Sequence, residues 1–106
     1  MAKFLFIDRE STVRGPQPSP EEMQVVAGQW NAWMQEFSQS ILPGGDGSKP
    51  SGRLLKSGLV TDGPYVEAKE VIISNSVIQA DDYDTALAIA RECPPGRTIE
   101  IREFAG

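Results

Sequence analysis

Two amphipathic helical segments, each preceded by a β-forming run, restrict the folds open to this 106-residue chain. The first helix is predicted to begin after Ser19, because Pro20 suits the first helical position and Glu22 completes a capping box. The second is predicted within residues 81–94, with Asp81 or Asp82 as N-cap. Along the first helix, apolar residues recur every three or four positions and predict a stripe that covers a sheet: Met23, Val26, Ala27, Trp30, Trp33, Met34, Phe37 and Ile41.

Four β-forming runs accompany these helices, at residues 3–8, 53–61, 70–79 and 98–104. The second and third runs are predicted to form an antiparallel pair. The order β-α-β-β-α-β, with right-handed crossovers, favours one antiparallel sheet that carries both helices on one face. We therefore predict a single domain over residues 1–106 with an α+β, ferredoxin-like βαββαβ fold. Its open sheet face requires a cover, which predicts sheet-to-sheet dimerisation or a ligand surface.

Charge and residue counts exclude several function classes. Ten Lys and Arg against fifteen Asp and Glu give a net charge of -5, which argues against nucleic acid and membrane partners. No apolar run approaches the roughly 20 residues of a bilayer span, so a cytoplasmic protein is expected. With Cys93 as the single cysteine and no histidine, a disulfide framework, His-dependent dyads and ordinary zinc sites are excluded, and no cofactor is expected.

A glycine-rich stretch at residues 42–52 contains Gly-Gly-Asp-Gly, which could suggest a phosphate-binding loop. It lacks the Lys-Ser/Thr ending and the strand-to-helix position of such a loop. We interpret it as an irregular connection.

The segment at residues 61–70, TDGPYVEAKE, concentrates charges and one aromatic ring beside a tight turn. Without histidine, proton transfer would require a carboxylate, Lys or Tyr. One hypothesis makes Asp62 or Glu67 the catalytic base. The ligand would then contact the remaining members of the predicted site, namely Arg53, Tyr65, Lys69, Glu70 and Trp33.

The same residues also suit purely structural roles, which is the alternative hypothesis. Glu67 and Lys69 project to one face of an extended strand and can pair, while Asp62 can cap the turn. Trp33 suits core packing. Asp62, Glu67 and Glu70 could supply oxygen ligands to a hard cation, but their spacing matches no calcium loop, so no metal site is predicted.

This segment resembles the D-G-P-F-x-E-x-K-E signature of the DGPF branch of the YCII-related proteins. It stands here as Asp62, Gly63, Pro64, Tyr65, Glu67, Lys69 and Glu70, with Tyr in place of Phe. The resemblance extends over nearly the whole chain, from the KFLFID strand through the SPEEM helix start to the IEIRE ending. It implies a dimeric α+β barrel, in which two ferredoxin-like sheets pack face to face in a homodimer. We predict that a pocket of this dimer binds a small molecule.

The chain also departs from that family. Where members usually carry one or two glycines and an aromatic, this chain has Ile73, Ser74 and Asn75, which implies a narrower pocket or a different ligand. The family includes a chlorinated-hydroquinone dehydrochlorinase that uses a His and Asp pair, an activity not carried over to a chain without histidine. Similar proteins often accompany genes for extracytoplasmic-function sigma factors. Lyase-like acid/base chemistry and a non-catalytic regulatory or protein-interaction module therefore both remain open.

Overall fold

A computed structural model describes residues 2–11, 18–48, 52–63 and 70–105. Strands β2, β5, β1 and β6 form a four-stranded antiparallel sheet in that order, and β3 and β4 form a separate two-stranded sheet. This sheet order and the two helices confirm the ferredoxin-like α+β prediction. The elements in chain order are β1 (Ala2–Ser11), α1 (Pro20–Glu36), β2 (Ile41–Leu42), β3 (Gly52–Lys56), β4 (Leu59–Gly63), β5 (Glu70–Ala80), α2 (Tyr83–Arg91) and β6 (Thr98–Glu103).

The helix starts follow the predicted capping chemistry. The Ser19 hydroxyl accepts a hydrogen bond from the Glu22 amide at 3.1 Å, and Pro20 occupies the first turn of α1. At α2, the N-cap is Asp82, whose carboxylate accepts from the amide and hydroxyl of Thr85, each at 2.8 Å. These hydrogen bonds stabilise the charged carboxylate and lower the pKa of Asp82.

The edge strand of the main sheet differs from the prediction. The apolar stripe of the first helix was expected to continue to Ile41, but α1 ends at Glu36 and the amide of Phe37 caps it by donating to the Trp33 carbonyl. Ile41 instead lies in β2, opposite the fully buried Ile78 of β5. The backbone N–H and C=O groups at the edge of β5 need hydrogen-bond partners. Pairing with β2 supplies these partners and buries apolar side chains.

The predicted strand at residues 53–61 folds back on itself, so its expected pairing with β5 is wrong. Ser57 and Gly58 both have positive φ, 51° and 80°, as the two central residues of a type I′ hairpin turn require. The turn sets the register that pairs Leu55 with Val60 and Lys56 with Leu59. This short Ser-Gly turn competes locally with the longer-range pairing and produces a hairpin instead.

The core lies between the helices and one face of the main sheet. Phe4 and Phe6 alternate along β1 and are buried beside Ile78 of β5, and Ala86 and Ile89 of α2 complete the layer. The far face of the sheet carries the half-buried side chains that alternate with these, at Leu5, Ile7, Leu42 and Val77. Neither helix in the described ranges is long and apolar enough to cross a membrane.

Trp33 fastens α1 to the core. Its indole is buried and donates from Nε1 to the Ile89 carbonyl of α2 at 3.0 Å. Trp30 and Phe37 lie on either side, with ring centroids 5.7 and 5.9 Å from Trp33. In the first half of α1, however, Met23, Val25 and Val26 are exposed, and Met34 is exposed in the second half. The predicted stripe therefore reaches the core only through Trp30, Trp33 and Phe37.

We therefore expect Trp33→Ala to lower the free energy of unfolding by about 3–5 kcal/mol, because it removes a large buried ring and leaves a cavity. Trp33→Phe keeps most of the apolar volume, loses the hydrogen bond to Ile89 and should cost about 1 kcal/mol. Denaturant unfolding measures both. Val25→Ala, at an exposed position of the same helix, is the control and should change stability by less than about 0.5 kcal/mol. Equal stability of Trp33→Ala and this control would contradict the anchoring role.

Candidate functional site: a cavity around Asp8

A cavity of about 380 Å³ opens between α1, the main sheet and the loop after β2. Trp30, Trp33 and Met34 of α1 supply an apolar wall. Asp8, Ser74 and Arg97 place polar groups at the cavity, on β1, on β5 and just before β6 respectively. An apolar concave site with a few convergent polar groups is the usual form of a small-molecule site.

Asp8 is the buried carboxylate of this cavity. It continues the alternation of Phe4 and Phe6 along β1, so its side chain lies on the helix-covered face and is only 5% exposed. Its Oδ2 accepts a 2.6 Å hydrogen bond from the Ser74 hydroxyl and lies 3.5 Å from Nη1 of Arg97. Within the described residues, no hydrogen bond reaches its second oxygen, Oδ1.

Arg97 combines a charge with a stacking contact. Its guanidinium carbon lies 4.6 Å from the centroid of the Trp30 ring, within the range of a cation–π interaction. Its side chain is about 29% exposed, and its contact with Asp8 is long. Among the described residues, Asp8 is the carboxylate that contacts this guanidinium, through Nη1. A guanidinium has five N–H donors, so Arg97 is chemically suited to pair with an anionic group as well.

A β-bulge shapes the β5 side of the cavity. Asp8 pairs with Ser74 but the next residue, Arg9, pairs with Ile72, so Ile73 is an extra residue in β5. The carbonyl of Ile73 accepts from the Ser48 amide at 2.7 Å, and the Asn75 amide donates to the Asp46 carbonyl at 3.0 Å. These two hydrogen bonds, one of them to the bulged residue, attach the glycine-rich loop to β5 beside the cavity.

Gly45 allows the close approach of this loop. A Cβ added there would lie 2.5 Å from the Asn75 carbonyl oxygen and 2.7 Å from the Ser76 Cα, both backbone atoms. Since neither atom can move without shifting β5, a side chain at this position would push the loop away. The stretch interpreted as an irregular connection is therefore a wall of the cavity.

Gly45→Ala should lower the free energy of unfolding by about 1–3 kcal/mol through this overlap. Gly28→Ala is the matched control, because it lies inside α1 with nothing within 4 Å of an added Cβ. That substitution should raise stability by about 0.5–1 kcal/mol through helix propensity. Denaturant unfolding of the two variants gives the comparison, and a Gly45→Ala protein as stable as the parent would show that the loop does not pack as described.

Cys93 lies near the cavity but is not suited to act as a nucleophile. Burial and, to a smaller extent, the negative charge of Asp8 raise the pKa of its thiol to about 12, while the positive charge of Arg97 partly opposes both effects. A thiol with so high a pKa stays protonated at neutral pH. Within the described part of the chain, no three His, Cys, Asp or Glu side chains are grouped to hold a metal ion.

The residues predicted to form the site do not all lie at this cavity. Trp33 lines the cavity and is at the same time a core residue, while its contact with a ligand stays a prediction. Arg53 is exposed on β3, opposite Asp62 of β4, for which only the backbone is described. Glu70 begins β5 opposite Ser11, again described by its backbone. Tyr65, Glu67 and Lys69 lie outside the described residues, and the roles expected for the DGPY segment stay predictions.

Asp8 and Arg97 line the cavity but are not among the predicted site residues. A signal for Asp8 was present, since strict alternation from Phe4 and Phe6 puts an acidic residue on the buried face of β1. No sequence signal marks Arg97, which follows Gly96 at a positive φ of 101° and reaches the site only because β6 pairs with β1. The departures at Ser74 and Asn75 do lie at the cavity, where Ser74 supplies the hydroxyl that binds Asp8.

Comparison with known families agrees with this architecture. The YCII-related domain matches residues 33–104, which is more than half of the chain. The chain belongs to the YCII-related family. A search of curated proteins found no match. The matched range of this YCII-related chain includes Ser74 and Arg97, whereas Asp8 and Trp30 precede it.

Proposed function

We propose that this YCII-related protein binds a small hydroxylated organic acid with a flat apolar body in the Asp8 cavity. The observation that carries the proposal is the buried Asp8 carboxylate, with Oδ2 held by Ser74 and Oδ1 accepting no hydrogen bond from the described residues. A ligand hydroxyl would donate to Oδ1. A ligand carboxylate would pair with Arg97, and the apolar body would lie against Trp30 and Met34.

If the bound molecule reacts, proton transfer falls to Asp8. Its carboxylate is the charged oxygen acceptor buried in the cavity, and Arg97 supplies positive charge where an oxyanion would form on the ligand. Lyase-like acid/base chemistry is the reaction class that these two groups support. The DGPY segment stays a second place for such chemistry, with Asp62 or Glu67 as the base.

The test is calorimetric titration with 4-hydroxybenzoate, benzoate and 4-methylphenol, which separate the hydroxyl from the carboxylate. We expect the hydroxy acid to bind most tightly. Asp8→Asn should weaken the binding of 4-hydroxybenzoate by about 1.5–3 kcal/mol, because the variant loses a charged hydrogen-bond acceptor with little change of shape. Glu10→Gln, which removes the same charge from an exposed position of β1, is the matched control and should bind like the parent.

Saturable binding that Asp8→Asn and Glu10→Gln alter equally would overturn the assignment to this cavity. So would the absence of binding by all three compounds while thermal unfolding shows a folded protein. Binding that is lost in Glu67→Gln and retained in Asp8→Asn would move the site to the DGPY segment.

We also propose that the protein is a homodimer through the far face of its main sheet. The support is the apolar group of Leu5, Ile7, Leu42 and Val77 on that face, beside an ion-pair network of Arg9, Glu100 and Arg102. Hydrogen bonds from Arg102 and Arg9 stabilise the Glu100 carboxylate and lower its pKa. Such a face is wet in a monomer, and a second sheet would bury it.

Sedimentation or light scattering should give about twice the 11.6 kDa chain mass, and Val77→Lys should shift the protein toward the monomer because it places a charge in the buried interface. A parent protein that is monomeric at micromolar concentration would overturn this proposal without affecting the ligand site.

The alternative function, a non-catalytic regulatory or protein-interaction module, is supported by a different observation. The β3–β4 hairpin exposes Leu55, Leu59 and Val60. An apolar surface of this kind is typical of a protein contact.

A further inference from the structure

Ser76 of β5 is a polar residue at a position where packing favours an apolar one. The strand register pairs Ser76 with Phe6, and Ile78 with Phe4. Residues directly opposite one another share a face of the sheet, so Ser76 lies on the helix-covered face beside the two buried phenylalanines. A hydroxyl on the core face of a strand is unfavourable unless it is hydrogen-bonded or has a function.

The fold itself uses the hydroxyl of Ser74 but not that of Ser76. Ser74 lies on the same face and donates to Asp8 at 2.6 Å. No hydrogen bond joins the Ser76 hydroxyl to another of the described residues. The Ser76 side chain is half-buried and lines the Asp8 cavity, and no fully buried polar atom in the described part of the chain lacks a partner. The Ser76 hydroxyl is therefore open to the cavity.

Ser76 and Arg97 lie on opposite sides of Asp8. In the main sheet, β1 has β5 on one side and β6 on the other, and Arg97 directly precedes β6. Asp8 is opposite Ser74, so Ser76 is its diagonal neighbour, and diagonal neighbours lie within about 7–8 Å of each other. A cation, a carboxylate and a hydroxyl thus follow one another across the sheet under one cavity, and one small ligand can contact all three.

We propose that Ser76 selects ligands that carry a second hydroxyl on the carbon next to the one whose hydroxyl donates to Asp8. This inference rests on the proposed binding of a hydroxy acid in the cavity, and it narrows that ligand to a vicinal dihydroxy acid. Two hydroxyls on neighbouring carbons lie close together, and a hydrogen bond of about 2.7–2.8 Å from each reaches partners at the diagonal separation.

The selectivity has a physical cause in the Ser76 hydroxyl. This group can donate to or accept from the second hydroxyl of the ligand. An apolar group at the same place would cover the Ser76 hydroxyl without replacing its hydrogen bonds to solvent. The cavity therefore favours the dihydroxy acid over an analogue of the same shape that lacks the second hydroxyl.

Calorimetric titration of the parent and of Ser76→Ala tests this selectivity with 4-hydroxybenzoate, 3,4-dihydroxybenzoate and 4-hydroxy-3-methylbenzoate. The last compound fills the place of the second hydroxyl with a methyl group of similar size. We expect the parent to bind the dihydroxy acid about two- to ten-fold more tightly than 4-hydroxybenzoate, through one added hydrogen bond, and to gain nothing from the methyl group. Ser76→Ala should bind 4-hydroxybenzoate like the parent and prefer the methyl compound to the dihydroxy acid.

Ser38→Ala is the matched control, because it removes the same hydroxyl from an exposed position that does not line the cavity. It should keep the preference of the parent for the dihydroxy acid. Thermal unfolding verifies that each variant is folded. Ser76→Ala is expected to fold, since alanine suits the core face of a strand better than an unpaired hydroxyl does.

Three results would overturn the proposal. One is an equal preference for the dihydroxy acid in the parent and in Ser76→Ala. Another is a parent that binds 4-hydroxybenzoate through Asp8, as a loss in Asp8→Asn would show, but gains nothing from the second hydroxyl. In both cases the proposed site would stand and only the role of Ser76 would fall. The absence of binding by all three compounds would overturn the site and the role of Ser76 together.

Discussion

A buried carboxylate on the central strand is the constraint on which the site depends. Removing Asp8 from water is unfavourable unless hydrogen bonds and opposite charge compensate it. The Ser74 hydroxyl supplies that compensation from β5, and the Arg97 guanidinium supplies it from the residue just before β6. Both neighbours of β1 in the sheet therefore contribute to one site, and the pairing of β1 with them sets its geometry.

The other walls of the cavity are held in place by the elements that pack around Asp8. The bulge at Ile73 directs backbone groups of β5 toward the glycine-rich loop, and Gly45 lets that loop lie against β5. On the other side, Trp33 holds the second half of α1 on the core, and Trp30 on the same helix lies under Arg97. Elements distant in sequence thus form one apolar space around a single charged pair.

The family match supports the fold of the chain but does not indicate which ligand the cavity binds. The YCII-related match covers residues 33–104 and agrees with the ferredoxin-like topology. Asp8 and Trp30 lie before that range, so the match does not include two of the groups that form the cavity. The function of this member therefore has to be argued from its own cavity.

Local signals predicted most of the fold. The caps at Ser19 and Asp82 and the alternation of β6 were readable, because each depends on residues close in sequence. The edge strand was not, since the apolar spacing of Ile41 suits a helix stripe and a strand equally, and only pairing with Ile78 decides between them. The alternation along β1 already indicated that Asp8 is buried, but its meeting with Ser74 and Arg97 depends on strand pairing and was not predictable from local signals.

The most direct test of the ligand site uses the indole signals of the two tryptophans in a ¹⁵N-correlated NMR spectrum, recorded while 4-hydroxybenzoate is added. Trp30 lines the cavity under Arg97, whereas the indole N–H of Trp33 is bound to Ile89. Binding in the cavity predicts a saturable shift of the Trp30 indole together with the Ser74 and Arg97 amides. A saturable shift confined to other parts of the chain, with these three signals unchanged, would contradict the account.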